Sequence, residues 1–253
     1  MLSVNDLSFS YRSREVLKDV SFTVKAGELV SVLGSNGVGK STLFRCILQL
    51  LTDYTGTVSV NGADARTLSQ RELASHIAYI PQIHRPAFGF TVLDTVLMGV
   101  TGRHGPLVKP TKAHTETAME TLERLSIAEL AYRNYSQLSG GEQQLVLIAR
   151  AMSQKADILI MDEPTSALDY GNQMRVLAQV RRLADEGYSV LLSTHNPQHA
   201  LTFSDAIIAL ADRHIAACGA PEKVLTAELL EKLYGIRVSI EDTPYGRVIV
   251  AIP

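Results

Sequence analysis

Gly34-Ser35-Asn36-Gly37-Val38-Gly39-Lys40-Ser41 fits the spacing G-x-x-x-x-G-K-[ST]. Residues of these types at this spacing hold phosphate. Glycines let the backbone wrap an anion, N–H groups point inward, and a helix that starts there adds the positive end of its dipole. Lys40 is placed to neutralise β- and γ-phosphates, and the Ser41 hydroxyl to hold Mg²⁺. Asp162-Glu163 lies downstream at the end of an apolar run, and His195 ends another. A carboxylate at the first position can hold a metal through water. A second carboxylate beside it can take a proton from an attacking water. Together these groups suit phosphoryl transfer to water, which needs positioning and charge stabilisation but no covalent intermediate.

Such groups work only if strands and helices deliver them to one edge. Glu28 to Leu33 reads as a buried strand, and Thr42 to Leu48 as the helix after the glycine loop. Ile158 to Met161 is an apolar strand carrying Asp162 at its carboxyl end, where open parallel sheets bind ligands. Glu163 is expected to point elsewhere than Asp162 because strand side chains alternate. Val190 to Thr194 is a further strand, ending in His195. After Ala156, strands and helices alternate: 157–162, 173–185, 188–195, 198–203 and 205–211. That alternation marks a parallel sheet with covering helices. Residues before about Val32 alternate polar and apolar, as in Ser21-Phe22-Thr23-Val24, and suggest antiparallel strands flanking the loop strand. Thr57 to Gly62 reads as a hairpin strand and Leu68 to Leu73 as the start of a short helix. From Ile83 to Ala151 the spacing turns helical, most plainly over Thr115 to Leu125, with a loop over Gly102 to Pro110. A helix over Ala227 to Tyr234 and a hairpin, Arg237 to Ile240 with Arg247 to Ala251, are expected near the end, with Asp242 to Gly246 as the turn.

The motifs in their order resemble the ATP-binding subunits of ABC transporters. Leu138-Ser139-Gly140-Gly141-Glu142 resembles the family's signature, and Ile158 to Pro164 its Walker B strand. Ser166-Ala167-Leu168-Asp169 is similar to the D-loop, His195 to the switch histidine and Gln82, after Ala78-Tyr79-Ile80-Pro81, to the Q-loop glutamine. Tyr11 in Phe9-Ser10-Tyr11 is similar to the aromatic that stacks on adenine, although a tyrosine on a twisted edge strand is also common. Arg14 nearby reads as a solvated turn. The resemblance implies an α/β fold of the P-loop NTPase, ABC-ATPase type. Its core is a mostly parallel sheet (1–82 and 152–253), with an N-terminal antiparallel β part and an inserted helical subdomain over 83–151.

The resemblance implies the site as well. Gly34 to Thr42, Tyr11, Ser139, Gly140, Gly141, Glu142 and Asp169 would contact ATP. Ser41, Gln82 and Asp162 would serve Mg²⁺, and Lys40, Gln82, Glu163 and His195 the chemistry. Ser139-Gly140-Gly141 opens a second helix suited to an anion. With one glycine loop and one signature per chain, two chains are needed for two complete sites. A twofold homodimer is the simplest case, with Asp169 acting across its interface. Two membrane permease subunits would dock on the region from Gln82 to Val100, where Phe88 and Phe90 are expected to be partly exposed near breaks at Pro86 and Gly89. A substrate-binding protein would act indirectly. Leu233-Tyr234-Gly235-Ile236 and Phe90 to Gly99 resemble importer ATPases for iron–siderophore, haem, cobalamin or molybdate-type substrates. A soluble ATPase unlinked to transport and an exporter subunit are the alternatives. Two departures stand out: many relatives carry arginine at the Leu145 position, and Glu142 replaces a more frequent glutamine.

Composition agrees. The 253 residues suffice for one α/β domain with an insertion. A net charge of −2 gives no basic field for nucleic acid. Cys46 and Cys218 read as small buried hydrophobes in a reducing compartment. The six histidines other than His195, among them His76, His84, His104 and His114, read as surface residues. No apolar run reaches the eighteen or more residues of a membrane span and no signal peptide is evident, which places the chain at the cytoplasmic face of a membrane only through partners.

Overall fold

In the computed structural model, which describes residues 1–82, 89–102 and 109–252, the chain begins with three strands, β1 (Leu2–Tyr11), β2 (Arg14–Val24) and β3 (Leu29–Leu33). All five residues of β3 are buried, so both faces of this strand are covered, as in sheets sandwiched between helices. The glycine loop follows, then α1 (Lys40–Ile47), β4 (Thr55–Val60), β5 (Ala63–Asp64), α2 (Gln70–His76) and β6 (Ile77–Ile80). Helices α3 (Val92–Gly102), α4 (Lys112–Arg124) and α5 (Gly140–Ser153) come next. The chain continues through β7 (Ile158–Met161), α6 (Tyr170–Asp185), β8 (Ser189–Thr194), α7 (Pro197–Phe203), β9 (Ala206–Ala211) and β10 (His214–Gly219). It closes with α8 (Pro221–Val224), α9 (Ala227–Tyr234), β11 (Val238–Thr243) and β12 (Gly246–Ala251).

The central sheet has the order β10-β9-β3-β8-β7-β6. Five of its strands run parallel and β10 runs antiparallel to β9. The carboxyl ends of β3, β7 and β8, which carry the glycine loop, Asp162 and His195, therefore lie side by side. The first strands pair antiparallel, as their alternation suggested, but they do not border β3. They form a separate antiparallel sheet, β2-β1-β4-β5. The physical reason is burial. β1 alternates buried and open residues and can cover one face only, whereas β3 needs neighbours buried on both faces and finds them in β8, buried throughout, and β9, buried in all but its first residue. The apolar face of the antiparallel sheet, Leu2, Val4, Leu7 and Val20, packs with Val30, Val32, Leu43 and Phe44 beside the loop.

A second core holds α3, α4 and α5 against the sheet through Val96, Leu122, Val146, Ile148 and Leu159. Gly99 permits the closest approach there: a Cβ added to it would lie 2.1 Å from the carbonyl oxygen of Arg150 in α5. Gly99→Ala is expected to push α3 off α5 and to cost about 1–3 kcal/mol. A melting temperature lower by roughly 2–10 °C would show it, and an unchanged one would mean that the helices slide apart freely.

Several local expectations need correction. Cys46 is buried in α1, its thiol pushed up to about 12 by burial, but Cys218 is exposed because it lies on β10, the outer strand of the sheet. His214 is exposed and His76 and His114 are half-buried. His199 is only 5% exposed, because α7 turns it with Ala200 toward the interior. His84, His104 and Phe88 lie outside the described residues; Phe90 is half-buried. The last turn is tighter than expected, with Thr243 paired directly to Gly246.

Candidate functional site

The loop after β3 ends at Gly39, whose φ of 116° lies in the left-handed region. A residue with a Cβ is strained there. With glycine, the chain turns straight into α1 with no side chain capping its first N–H groups, which leaves them open for an anion. They border a cavity of about 330 Å³ lined by Asn36, Gly37, Gly39, Lys40, Ser41, Thr42, Gln82 and Glu163. Gly34 and Ser35 act through their carbonyls. Lys40 Nζ donates to Gly34 O at 2.7 Å and to Ser35 O at 3.2 Å. Val38 packs against the neighbouring core.

Lys40 is 5% exposed and its Nζ lies 3.2 Å from Glu163 Oε1. The other carboxylate oxygen is 3.1 Å from His195 Nδ1 and accepts from Gln82 Nε2 at 3.4 Å. Gln82 also donates to Ser166 Oγ at 3.2 Å. Three residues far apart in sequence thus meet on one carboxylate.

The orientation of Glu163 has a different cause from the strand alternation expected for it. β7 ends at Met161, and Glu163 has φ of 45°. Left-handed backbone is costly for a glutamate and persists only where its surroundings fix it. Ser193 on β8 does part of this. Its hydroxyl accepts from Glu163 N at 2.8 Å and donates to Asp162 Oδ1 at 2.6 Å. Asp162 N in turn donates to Ile80 O at 2.9 Å, which extends the β6–β7 pairing by one residue. Ser193 was not singled out from the sequence. The available signal was a hydroxyl inside a fully buried strand, which must find a partner. Ser193→Ala leaves the Glu163 N–H and Asp162 without theirs. It is expected to cost about 1–3 kcal/mol of stability and roughly tenfold in kcat; steady-state kinetics with unchanged kcat would remove Ser193 from this account.

Ser139 caps α5, and Glu142 completes a capping box. Ser139 N and Oγ each donate to Glu142 Oε2 at 2.8 Å, and the hydroxyl bond, with the backbone one, holds the Glu142 carboxyl below its usual range. The departure from glutamine therefore strengthens the helix start. Leu145 packs against the helical core. Ser139, Gly141 and Glu142 border a different hollow, of about 430 Å³. Neither they nor Gly140 line the cavity of the glycine loop. Asp169 caps α6, accepting from Asn172 N at 2.9 Å and from Asn172 Nδ2 at 2.8 Å. These bonds, the backbone one first, lower its pKa. Tyr11 lies outside the cavity lining, 41% exposed, its ring edge-on to Phe9 at 4.8 Å.

The donor set fits Mg²⁺ bound with a nucleotide. Ser41, Asp162 and Gln82 supply oxygen atoms only, and no group of three or more His, Cys, Asp and Glu among the described residues forms a cage for a metal. Mg²⁺ is commonly held in this way, by one or two protein oxygens with phosphate and water completing the shell.

Residues 17–166 match the family model described as ABC transporter. An uncharacterized ABC transporter ATP-binding protein of Haemophilus influenzae is 41% identical over 92% of this chain and 89% of its own length. A cobalamin import ATP-binding protein of Halobacterium salinarum is 37% identical over the whole chain, which spans 63% of that relative. Other relatives carry names for manganese, hemin and iron chelatin transport. Among solved structures, one described as a metal-chelate type ABC transporter in an inward-facing conformation is 31% identical, with a TM-score of 0.89, over 100% of this chain and 97% of that one. A dimeric bacterial ABC transporter cassette is 27% identical with a TM-score of 0.75, over 87% and 99%. No helix among the described residues is long and apolar enough to cross a membrane. The chain belongs to the ABC transporter ATP-binding family and is an ATPase.

Proposed function

We propose that this chain powers uptake of a metal chelate, of the iron–siderophore, haem, cobalamin or molybdate-like kind, as one of two ATPase subunits beneath two membrane permease subunits. The convergence of Lys40, Gln82 and His195 on Glu163 beside the glycine loop carries the catalytic part of this reading. The names of the relatives and the metal-chelate type neighbour support the transport part.

When ATP enters, the α1 N–H groups and Lys40 take its phosphates, and Lys40 turns away from Glu163. The freed carboxylate accepts a proton from a water aligned on the γ-phosphorus. That water's oxygen forms the new bond as the bond to ADP breaks. His195 donates a hydrogen bond to the γ-phosphate. Ser41, Asp162 and Gln82 would hold Mg²⁺, which neutralises charge on the β- and γ-phosphates. Tyr11, exposed at the end of β1, is free to stack on the base. Ser139, Gly141 and Glu142 at the start of α5 line a hollow other than that of their own glycine loop, which fits an N-terminus that serves the ATP of a second copy. The dimeric cassette among the neighbours supports this arrangement. Residues around Gln82 to Val100 then pass the closure to the permease, since Gln82 touches both Glu163 and Ser166.

Purifying the tagged chain from its own cells in mild detergent, with mass identification of its companions, tests the transport reading. A polytopic permease is expected. Ribosomal or DNA-repair proteins with no membrane partner would overturn it.

A further inference from the structure

Residues 227–252, which form α9 and the β11–β12 hairpin, take no part in the chemistry above. They are nonetheless fastened to the helix that follows His195. α7 begins at Pro197, capped by Asn196, whose Oδ1 accepts from Gln198 N and His199 N. The Gln198 side chain then reaches the hairpin. Its Nε2 donates to Arg247 O at 3.1 Å and its Oε1 accepts from Ile249 N at 3.0 Å. Arg247 and Ile249 are alternate residues of β12, which among the described residues pairs with β11 alone. Gln198 thus pairs with the free edge of that sheet as a strand would.

Two buried polar groups on these elements stand out: among the described residues, neither His199 Nδ1 nor the Tyr234 hydroxyl, at the end of α9, has a partner. Native interiors rarely leave such atoms without partners, and where they do a second arrangement or a function is the usual reason. Tyr234 packs on a cluster that includes Leu33, the last residue before the glycine loop, and Ala200 of α7. Burial raises the Tyr234 pKa and the charge of Glu163 adds to it; burial lowers that of His199 and the charge of His195 adds to it. Tyr234 thus lies within electrostatic reach of Glu163, and His199, beside Gln198 on α7, within reach of His195.

We propose that the C-terminal helix–hairpin unit is a positioning element for His195, with Gln198 bonded to β12 and Tyr234 packed on the cluster that holds Ala200 of α7 fixing how His195 stands against Glu163. This inference rests on the role proposed above for His195. Gln198→Met keeps length and helix propensity and removes only the hydrogen bonds. In the purified full chain it is expected to lower kcat about tenfold with KM for ATP within about twofold, and to lower it no further when His195→Ala is present, since residues that act as a unit are not additive. Tyr234→Phe, which removes a single oxygen and keeps the packed ring, should leave kcat within about twofold in either background. For Gln198→Met, an equal fall in both backgrounds, or no fall in either, overturns the positioning role and leaves the site reading intact. If His195→Ala alone leaves kcat unchanged, the role of His195 falls and this inference with it.

Discussion

Glu163→Gln leaves ATP bound and unhydrolysed. The substitution keeps the shape of the side chain and removes its basicity, so kcat is expected to fall by about 10²–10⁴-fold, the usual contribution of a general base. Affinity should move the other way. Glu163 pairs with Lys40 at 3.2 Å, and ATP must compete for that ammonium. The amide holds Lys40 less strongly, so the phosphates meet a freer cation and ATP should bind more tightly, by up to roughly tenfold for each 1.4 kcal/mol of pairing lost. Tight binding without turnover accumulates the two-chain, two-ATP state. Size-exclusion chromatography with ATP should show a stable dimer for this variant and a monomer for the parent chain. An ATPase rate unchanged by the substitution would remove Glu163 from the base role.

Lys40→Ala is expected to lose the nucleotide instead. Lys40 is 5% exposed, and its Nζ is held by Gly34 O and Ser35 O at the mouth of the cavity. Its charge is prepositioned, so little ordering is required when ATP arrives. Removing it should raise the Kd for ATP by about 10²–10³-fold, the loss typical of a preorganised electrostatic contact. The fold should suffer too, because Glu163, 11% exposed, loses its ion-pair partner and two loop carbonyls lose their donor. A cost of about 1–3 kcal/mol is expected. The two effects separate in a melting experiment. The parent Tm should rise with ATP concentration, as linkage requires. The variant should start lower and stay flat. A variant that binds ATP within twofold of the parent would refute the assignment. Lys40→Arg is not expected to restore function, since a planar fork cannot replace a compact ammonium between two carbonyls.

Much of this chain was legible without coordinates because its signals are local. The glycine loop, the helix over Ala227–Tyr234 and the apolar strands ending at Asp162 and His195 each follow from a few adjacent residues and their backbone preferences. The alternation of strands and helices after Ala156 fixed the parallel class for the same reason. Long-range contacts were not legible. Nothing in the sequence near β1 said that it would pair with β2 and β4 rather than flank β3; that choice depends on which strands can be buried on both faces. Nothing near Gly99 announced the carbonyl of Arg150. The gathering of Lys40, Gln82 and His195 on one carboxylate, the bridge from Ser193 to Asp162 and Glu163, and the bond from Gln198 to β12 were decided by tertiary structure alone. Each joins residues tens of positions apart through atoms that only the packed sheet brings within 3.5 Å. Local sequence determined which groups this protein possesses and where each element starts. Packing decided which of those groups meet, because burial and hydrogen-bond pairing are properties of the assembled sheet and not of any one segment.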